Sequence, residues 1–488
     1  MNTKNLAVLI ATVAAVAFTP SAKAQTFTDI TQQYVFTTNG TPAVATITGS
    51  GPALAWGNVS IPSSLIVTNG GTPHAYDVAA IGDSAFSGYS TLTGLVIPGS
   101  VTNIGVDSFY NCYALTNLTI GTNVVNIGGG AFAGCSVLPN VTVPNKVPAI
   151  ASAVFAGCNH LTNIVMGTNV AYIGTNAFEN CYGLTGVTIP AKTTSIAPHA
   201  FDGCYGLLSM TLPDCVTNIG ESAFYDCSGL TNLVIGNGVT SIGNYAFEFC
   251  SGLTSVTIGT NVTGIGLDVF YYCPSLTSVR IPNSVTNIGY DAFYYCVGLT
   301  NVVLGNGLTS ISPQAFFDCT NLTSIAIPSS VTNIGNYAFL SCSHLTTVCF
   351  LGAAPSVLEN SSPLFVDGTN DSSIFLGDLH GTNYVLNTAA GWPTNGVKWG
   401  GWPVRRWPQD HPQLGSSGGG LGVATNGFHF SFTWLPGATL VVEASTNLLS
   451  GVWSPVHTNT LPAPAGGANY TDPNETNVPC RFYRVRSQ

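Results

Sequence analysis

A phenylalanine recurs every 23 residues through more than half of the sequence, without an insertion or a deletion. Its twelve positions are Phe86, Phe109, Phe132, Phe155, Phe178, Phe201, Phe224, Phe247, Phe270, Phe293, Phe316 and Phe339. One unit of this length cannot bury its own apolar face, whereas stacked units share a continuous core of identical columns. The strict period therefore predicts a solenoid of twelve stacked repeats.

The repeat unit carries the pattern of a short strand. One unit, residues 101–123, reads VTNIGVDSFYNCYALTNLTIGTN. In its TNLTI segment, alternation places Leu118 and Ile120 inward and Asn117 and Thr119 outward, as expected of a strand with one buried face. Each repeat is thus predicted to contain a short parallel strand followed by turns or loops.

The recurring motif VTNIGxxAFxxCxxLTNVTIP resembles the BspA-type family of leucine-rich repeats, found on exported and surface-associated proteins. The resemblance implies a β-rich leucine-rich repeat solenoid, with a short parallel strand plus a loop or turn in each 23-residue repeat. It also implies an N-terminal cap at residues 25–77, repeats at 78–350 and a C-terminal cap at 351–408. The function it implies is binding or adhesion.

The two ends of the sequence differ from the repeats. Residues 1–24 combine Lys4, an apolar stretch at 6–18 and the sequence Ala-Lys-Ala, which is typical of a signal peptide cleaved after Ala24. We therefore expect a secreted or cell-surface protein without a transmembrane segment in the mature chain.

The region after the C-terminal cap begins with a glycine- and serine-rich segment at residues 409–420, which predicts a flexible linker. Residues 421–488 contain several short β-type runs separated by Pro, Gly and Asn, which predict five or six strands in a small β-sandwich-like module.

Charged residues are scarce, and acidic residues outnumber basic ones. Only 7% of the residues are charged and the net charge is -10, so nucleic acid is excluded as a main partner. Residues 78–350 contain 11 acidic and three basic residues, the latter being Lys146, Lys192 and Arg280. The cause is a template whose outward positions are mostly Thr, Asn, Ser and Gly.

The sequence contains no catalytic motif of the serine hydrolase, zinc protease, P-loop or dinucleotide-binding type. His160 and His344 share a repeat position but are eight repeats apart, or roughly 40 Å at about 5 Å per repeat. We therefore expect neither an enzyme nor a cofactor or metal.

Eleven of the 14 cysteines, from Cys112 to Cys342, occupy one repeat position, three residues after the phenylalanine. Neighbours in such a column are close enough for some disulfides, but an odd number cannot pair completely. Buried thiols that pack as small apolar groups are the favoured interpretation. Cys349 lies outside the column, at an outward strand position, and is interpreted as an exposed thiol.

Two pairs of carboxylates also share columns in consecutive repeats: Asp268 with Asp291, and Glu179 with Asp202. Such neighbours can raise each other's pKa or hold calcium. Solvated side chains on an outer face are favoured, because calcium needs six or more oxygen ligands.

Aromatic residues accumulate in four consecutive repeats near the turn between the phenylalanine and the cysteine. These candidate contact residues are Tyr245, Phe249, Tyr271, Tyr272, Tyr290, Tyr294, Tyr295 and Phe317. Stacking of the repeats predicts an aromatic stripe suited to a protein partner or to sugar rings. The alternative is that the rings pack on one another and only cover the back of the solenoid.

The strand face, which is concave in many leucine-rich repeat proteins, offers a plainer surface. Its central outward column consists mainly of Thr and Val, and Arg280 is its one charged residue and a candidate contact. The resulting hypothesis is a non-catalytic interaction or adhesion protein with a macromolecular partner, either protein or polysaccharide, at a cell surface. Carbohydrate binding by the aromatic stripe and a structural role in an envelope or matrix are the alternatives.

Overall fold

The computed structural model describes residues 57–69 and 72–358 without further breaks. It also describes residues 25–28, 34–39, 44–50, 374–375, 381–385, 389–396, 398–399 and 402–406, and six strands between residues 422 and 487. The predicted signal peptide and the predicted linker at 409–420 lie outside the described residues. The described residues contain strands and turns but no helix.

Six strands precede the first repeat turn. They are β1 (Gln25–Thr28), β2 (Tyr34–Asn39), β3 (Val44–Ser50), β4 (Asn58–Ser60), β5 (Ser64–Asn69) and β6 (Thr72–Ile81). Strands β1, β2 and β3 pair in antiparallel fashion, as do β5 and β6. Strand β6 then pairs in parallel with the first repeat strand of its sheet, and β4 does the same in a second sheet.

Each repeat contributes two short strands, one before and one after the turn that carries the phenylalanine. The strands after the turn are β7 (Gly94–Val96), β9 (Asn117–Thr119), β11 (Asn140–Thr142), β13 (Asn163–Val165), β15 (Gly186–Val187), β17 (Ser209–Leu212), β19 (Asn232–Ile235), β21 (Ser255–Thr257), β23 (Ser278–Arg280), β25 (Asn301–Val303), β27 (Ser324–Ile327) and β29 (Thr347–Phe350). Those between them are β8 (Asn103–Ile104), β10 (Asn126–Ile127), β12 (Ala149–Ile150), β14 (Tyr172–Ile173), β16 (Ser195–Ile196), β18 (Asn218–Ile219), β20 (Ser241–Ile242), β22 (Gly264–Ile265), β24 (Asn287–Ile288), β26 (Ser310–Ile311) and β28 (Asn333–Gly335).

Both series of strands stack in parallel with the register of the sequence repeat. Asn126 pairs with Asn103 in one series, and Met210 pairs with Leu233 in the other, each a shift of 23 residues. Identical positions therefore lie above one another, as the strict period predicts. The predicted fold class, a β-rich leucine-rich repeat solenoid, is confirmed.

The phenylalanines form a continuous ladder of stacked rings inside the solenoid. Each of the twelve is at most 1% exposed. Neighbouring ring centroids are 5.1 to 5.9 Å apart and nearly parallel. Because the repeat spacing fixes the ring spacing, every unit presents a matching apolar surface to the next.

Threonine side chains join the repeats on the polar side. The Thr116 hydroxyl donates to the Thr93 carbonyl at 3.0 Å, and the same bond links Thr254 to Thr231 at 2.8 Å. A second threonine column repeats the arrangement from Thr286 to Thr263. These side chains satisfy backbone acceptors without charge, which is why the template stays polar and uncharged.

The phenylalanine ladder continues beyond the last repeat. Phe339 stacks on Phe375 at 5.7 Å, and Phe375 stacks on Trp402 at 4.2 Å. The strands here are β30 (Ser356–Leu358), β31 (Thr382–Val385), β32 (Lys398–Trp399) and β33 (Trp402–Arg406), and β31 and β33 extend the parallel sheet from β29.

The last six strands form two antiparallel sheets of three strands each. They are β34 (Gly422–Ala424), β35 (Gly427–Thr433), β36 (Thr439–Ser445), β37 (Ser454–Thr460), β38 (Gly467–Asp472) and β39 (Phe482–Ser487). One sheet has the order β34-β35-β38 and the other β37-β36-β39. The number of strands agrees with the five or six predicted for residues 421–488.

Candidate functional site

The turn that carries each phenylalanine has two positions in the left-handed backbone conformation, two residues before and two residues after the ring. We call them the leading and the trailing position. The trailing positions, with φ between 49° and 76°, are Gly88, Asn111, Gly134, Gly157, Asn180, Gly203, Asp226, Phe249, Tyr272, Tyr295, Asp318 and Ser341. The leading positions have φ between 50° and 64° and run from Ser84 in the first repeat to Tyr337 in the last.

The left-handed conformation has an identifiable cause at the trailing position. There the backbone N–H points along the solenoid axis and donates to the next repeat: Phe249 to the Tyr271 carbonyl at 2.9 Å, Tyr272 to Tyr294 at 2.8 Å and Tyr295 to Phe317 at 2.8 Å. Gly, Asn and Asp adopt this conformation most readily, and they occupy the first seven trailing positions. Phe249, Tyr272 and Tyr295 are bulky residues that occupy it at a cost of roughly 1 to 2 kcal/mol each.

The side chains at and just before the trailing positions form two adjacent files of rings. In one file, Tyr271 stacks on Tyr294 at 4.9 Å, and Tyr294 on Phe317 at 4.5 Å. In the other, Tyr272 stacks on Tyr295 at 4.8 Å. Phe249 contacts both files, at 5.7 Å from Tyr271 and 5.6 Å from Tyr272. These six rings are contiguous, and we call them the aromatic stripe.

The stripe is partly open to solvent. Tyr272 is 39% exposed, and the other five rings are half-buried. The near-parallel rings cover one another's faces, with angles of 4° to 12° between stacked planes. The rings therefore present mainly edges and hydroxyl groups outward, so that mutual packing and partial exposure coexist.

The two remaining aromatic candidates lie beside the stripe. Tyr245 is half-buried at a leading position, and the nearby carboxylates Asp268 and Glu248 contribute to raising its pKa, after desolvation as the main cause. Tyr290 precedes a leading position, and its hydroxyl donates to Gln314 Oε1 of the next repeat. Both belong to the same turn surface.

Aromatic contacts extend toward the N-terminus beyond the predicted residues. Tyr225 meets Phe249 edge to face at 5.5 Å. Tyr182 and Tyr205 stack at 5.0 Å and are 41% and 43% exposed. Each of these two tyrosines directly follows a cysteine of the column that runs from Cys112 to Cys342. The sequence pattern that identifies them is a tyrosine at the same repeat position in two consecutive repeats.

The carboxylates of both predicted pairs, Asp268 with Asp291 and Glu179 with Asp202, are half-buried rather than solvated, contrary to the interpretation made from the sequence, and so is Glu248. Glu248, Asp268 and Asp291 lie among the rings. Desolvation raises the pKa of Asp268 to about 6. Desolvation, with a contribution from the Asp268 charge, raises the pKa of Glu248 to about 7 and that of Asp291 to about 7. Buried Oδ1 atoms of Asp268 and Asp291 have no hydrogen-bond partner.

The cysteine column consists of buried free thiols, from Cys112 to Cys342, which confirms the favoured interpretation. Each thiol donates to the carbonyl of the phenylalanine 26 residues earlier, as Cys158 does to Phe132 at 3.3 Å. Burial raises the pKa of Cys158 to about 12. The column is therefore a structural element with weakly nucleophilic thiols.

The strand face differs from the prediction at one end. Arg280 is exposed on β23, on the strand surface rather than the turn surface, and pairs in register with Val303. Cys349, predicted to be an exposed thiol, is only 4% exposed and is the one described cysteine that is disulfide-bonded. Its burial sets this last repeat strand apart, since outward residues of other repeat strands such as Val165 are exposed.

The histidines that share a column make structural contacts. His160 Nδ1 lies 2.8 Å from the Ser136 carbonyl and His344 Nδ1 2.7 Å from the Thr320 carbonyl, each in the preceding repeat. Within the part of the chain that the structure describes, no group of three or more His, Cys, Asp or Glu side chains is placed to hold a metal ion. Nor does any helix there have the length and apolarity to cross a bilayer.

The parallel stack of 23-residue units, with its inward Leu, Ile, Phe and Cys columns, defines a leucine-rich repeat protein. The model of the BspA type leucine rich repeat region matches six copies in residues 75–185, 172–299 and 263–361, together more than half of the chain. The chain belongs to this family of repeats.

The chain is also similar to solved structures. A leucine-rich repeat protein from Bacteroides ovatus is 25% identical with a TM-score of 0.55, and the match covers 73% of this chain and 94% of that one. A leucine rich cell surface protein from Faecalibacterium prausnitzii is 29% identical with a TM-score of 0.37, over 68% of this chain and 96% of that one. A search of curated proteins found no significant match.

Proposed function

We propose that this chain is a non-catalytic interaction protein, secreted or held at the cell surface, that binds a protein partner along the aromatic stripe. The family of repeats supports the location and the absence of catalysis. The observation that carries the binding surface is the run of three bulky aromatic residues at trailing positions. Their backbone cost indicates that the rings serve a purpose other than local stability, because strained residues cluster at functional sites.

The arrangement of the rings favours a protein over a polysaccharide. A sugar stacks on an open aromatic face, whereas the faces of Tyr271, Tyr294 and Phe317 are turned toward one another. Ring edges and phenol hydroxyl groups remain for contact, and tyrosine in this mode supplies rigid area with a polar handle for protein surfaces.

The test is capture by the full-length protein of an extracellular protein fraction and, separately, of a polysaccharide fraction. The double variant Tyr271→Ala with Tyr294→Ala is expected to weaken protein capture by at least about tenfold, as the loss of interface hot spots does. The matched control is Tyr110→Ala with Tyr113→Ala, two tyrosines of the second repeat that are 42% and 49% exposed outside the stripe.

Thermal unfolding of each variant establishes that the fold is retained. Equal capture by the stripe variant and the control variant would show that the stripe is not the binding surface. Retention on the polysaccharide fraction alone would favour the carbohydrate hypothesis. Concentration-dependent oligomers of the purified chain, without capture of either fraction, would favour a structural role.

A further inference from the structure

Carboxylates run along the turn surface from the fifth to the eleventh repeat, and three of them, Glu248, Asp268 and Asp291, belong to the repeats of the aromatic stripe. The leading position and the position directly after the phenylalanine are three residues apart and meet across the turn, as the 2.9 Å contact between His199 and Asp202 shows. By the same spacing, Asp268 lies beside Tyr271 and Asp291 beside Tyr294. Glu248 occupies the ring file itself, one repeat before Tyr271.

No basic side chain among the described residues pairs with these carboxylates. Among the described residues the one ion pair joins His199 to Asp202, outside the stripe. Lys146 and Lys192 bond to Asn123 and Asn169 in other repeats. The remaining basic residue of the repeats, Arg280, belongs to the strand surface. The stripe is therefore a partly exposed aromatic surface with only negative charge.

The missing partner has a defined chemistry. Carboxylates removed from water are costly unless they are paired or hydrogen-bonded. The Oδ1 atoms of Asp268 and Asp291 are enclosed and have no donor among the described residues, so the accessible acceptors are the remaining parts of these half-buried carboxyl groups and the phenol oxygens of the neighbouring tyrosines. Lysine and arginine side chains supply several donors and a positive charge together.

We propose that the aromatic stripe and the carboxylates Glu248, Asp268 and Asp291 dock a lysine- or arginine-rich segment of a protein. The inference rests on the proposed function and adds the chemistry of the partner, argued from charge complementarity. The alkyl stems of the basic side chains lie along the ring edges, while their charged ends reach the carboxylates and phenol oxygens. Ring faces are not required, so the stacked geometry is retained on binding.

The ionisation of the site agrees with this partner. Glu248, Asp268 and Asp291 hold protons more strongly than free carboxyl groups do because they are desolvated. A docked cation favours the charged form, so binding releases protons and strengthens as pH rises. The other titratable groups around the three carboxylates are Tyr225, Tyr245, Tyr271, Tyr294, Glu221, Asp226 and Asp318.

The experiment measures the binding of fluorescent peptides to the full-length protein by anisotropy. The probes are a lysine–glycine repeat peptide, an arginine–glycine repeat peptide and the lysine peptide with every lysine acetylated. The triple variant Glu248→Gln, Asp268→Asn and Asp291→Asn removes the charges with little change of shape. Its matched control is Glu179→Gln with Asp107→Asn, which changes the same two turn positions in repeats outside the stripe.

The basic peptides are expected to bind the unaltered protein and the control equally, and the triple variant about tenfold more weakly. Binding is expected to be stronger at about pH 8 than at about pH 5.5, and the acetylated peptide is expected to lose it. Thermal unfolding checks that the triple variant is folded.

The inference is overturned if the triple variant binds the basic peptides as well as the control does, or if the acetylated peptide binds as well as the charged one. Protein capture that depends on Tyr271 and Tyr294 but not on the three carboxylates would leave the proposed function intact and refute only the cationic partner. Capture that depends on neither set refutes both.

Discussion

Repeats 1 to 7 and repeats 8 to 10, counted by their phenylalanines, share one backbone and differ in the turn surface that it displays. In both regions the phenylalanine is buried and stacked, and the thiol donates to a carbonyl. At the trailing position the first region has only Gly, Asn and Asp, whereas the second has Phe249, Tyr272 and Tyr295. The core thus fixes the backbone, and the residues on the turn surface vary with little effect on that backbone.

The difference shows which positions follow local conformational preference. Gly88 and Asn111 suit a left-handed backbone, so they are explained by the turn alone. Phe249 and Tyr272 do not suit it, and they are the residues whose rings make contacts across repeats. These residues oppose the local preference, and this is the observation on which we base the proposed contact surface.

The largest expected effect tests the shared core. Phe132→Ala in the first region and Phe270→Ala in the second should each lower the free energy of unfolding by about 3 to 5 kcal/mol, because both rings are 0% exposed in the same ladder. Urea unfolding of each variant measures the loss. A clearly smaller loss in one region would mean that the two cores are not equivalent.

A smaller effect separates backbone strain from ring contacts. Gly88→Ala should cost about 1 kcal/mol, because φ there is +76° and an added Cβ meets nothing within 4 Å, so the cost is conformational.

The reverse change, Tyr272→Gly, relieves a similar strain but removes ring contacts worth about 0.5 to 1.5 kcal/mol. It should leave stability nearly unchanged, as measured by thermal unfolding. A large loss of stability in Tyr272→Gly would show that the stripe is mainly a stabilising element, which weakens the functional interpretation of its strain.

The smallest effect is the pH dependence that three carboxylates of the second region contribute. The folded pKa values of Glu248, Asp268 and Asp291, about 7, 6 and 7, exceed their ordinary values of 4.5, 3.8 and 3.8. The folded state therefore binds protons more strongly than the unfolded state does. The stability that these groups contribute is greatest below about pH 4 and falls as pH rises to about 7.

Because the groups are half-exposed, the change in melting temperature between about pH 5 and pH 8 should be only a few degrees. Asp268→Asn with Asp291→Asn should reduce this slope. An unchanged slope in the double variant would mean that the two aspartates are solvated, as first interpreted.

Much of the fold followed from the sequence because each inward position is repeated twelve times. The spacing of the phenylalanines, the alternation around Leu118 and the buried thiol column all have local patterns that identify their direction. The prediction of an exposed thiol at Cys349 was wrong because the alternation rule treats every repeat alike, whereas Cys349, at the end of the repeats, is 4% exposed and disulfide-bonded.

The candidate site was only partly predictable. The aromatic stripe followed from the repeat, since side chains at one position must stack. The left-handed backbone at Tyr272 could be inferred from the sequence, because Gly and Asn occupy the same position in earlier repeats. The desolvation of Asp268 and Asp291 could not be inferred from the sequence, because it depends on neighbouring repeats that shield the carboxylates from water.

By itself, the sequence determined the period, the inward columns, the scarcity of charge and the membership of a class of repeats, because each is a property of one unit copied along the chain. Only the tertiary structure decided how the rings face one another, which carboxylates lose water and that Cys349 is buried and disulfide-bonded. Those properties arise between units, where a spacing of about 5 Å brings side chains from different repeats into contact.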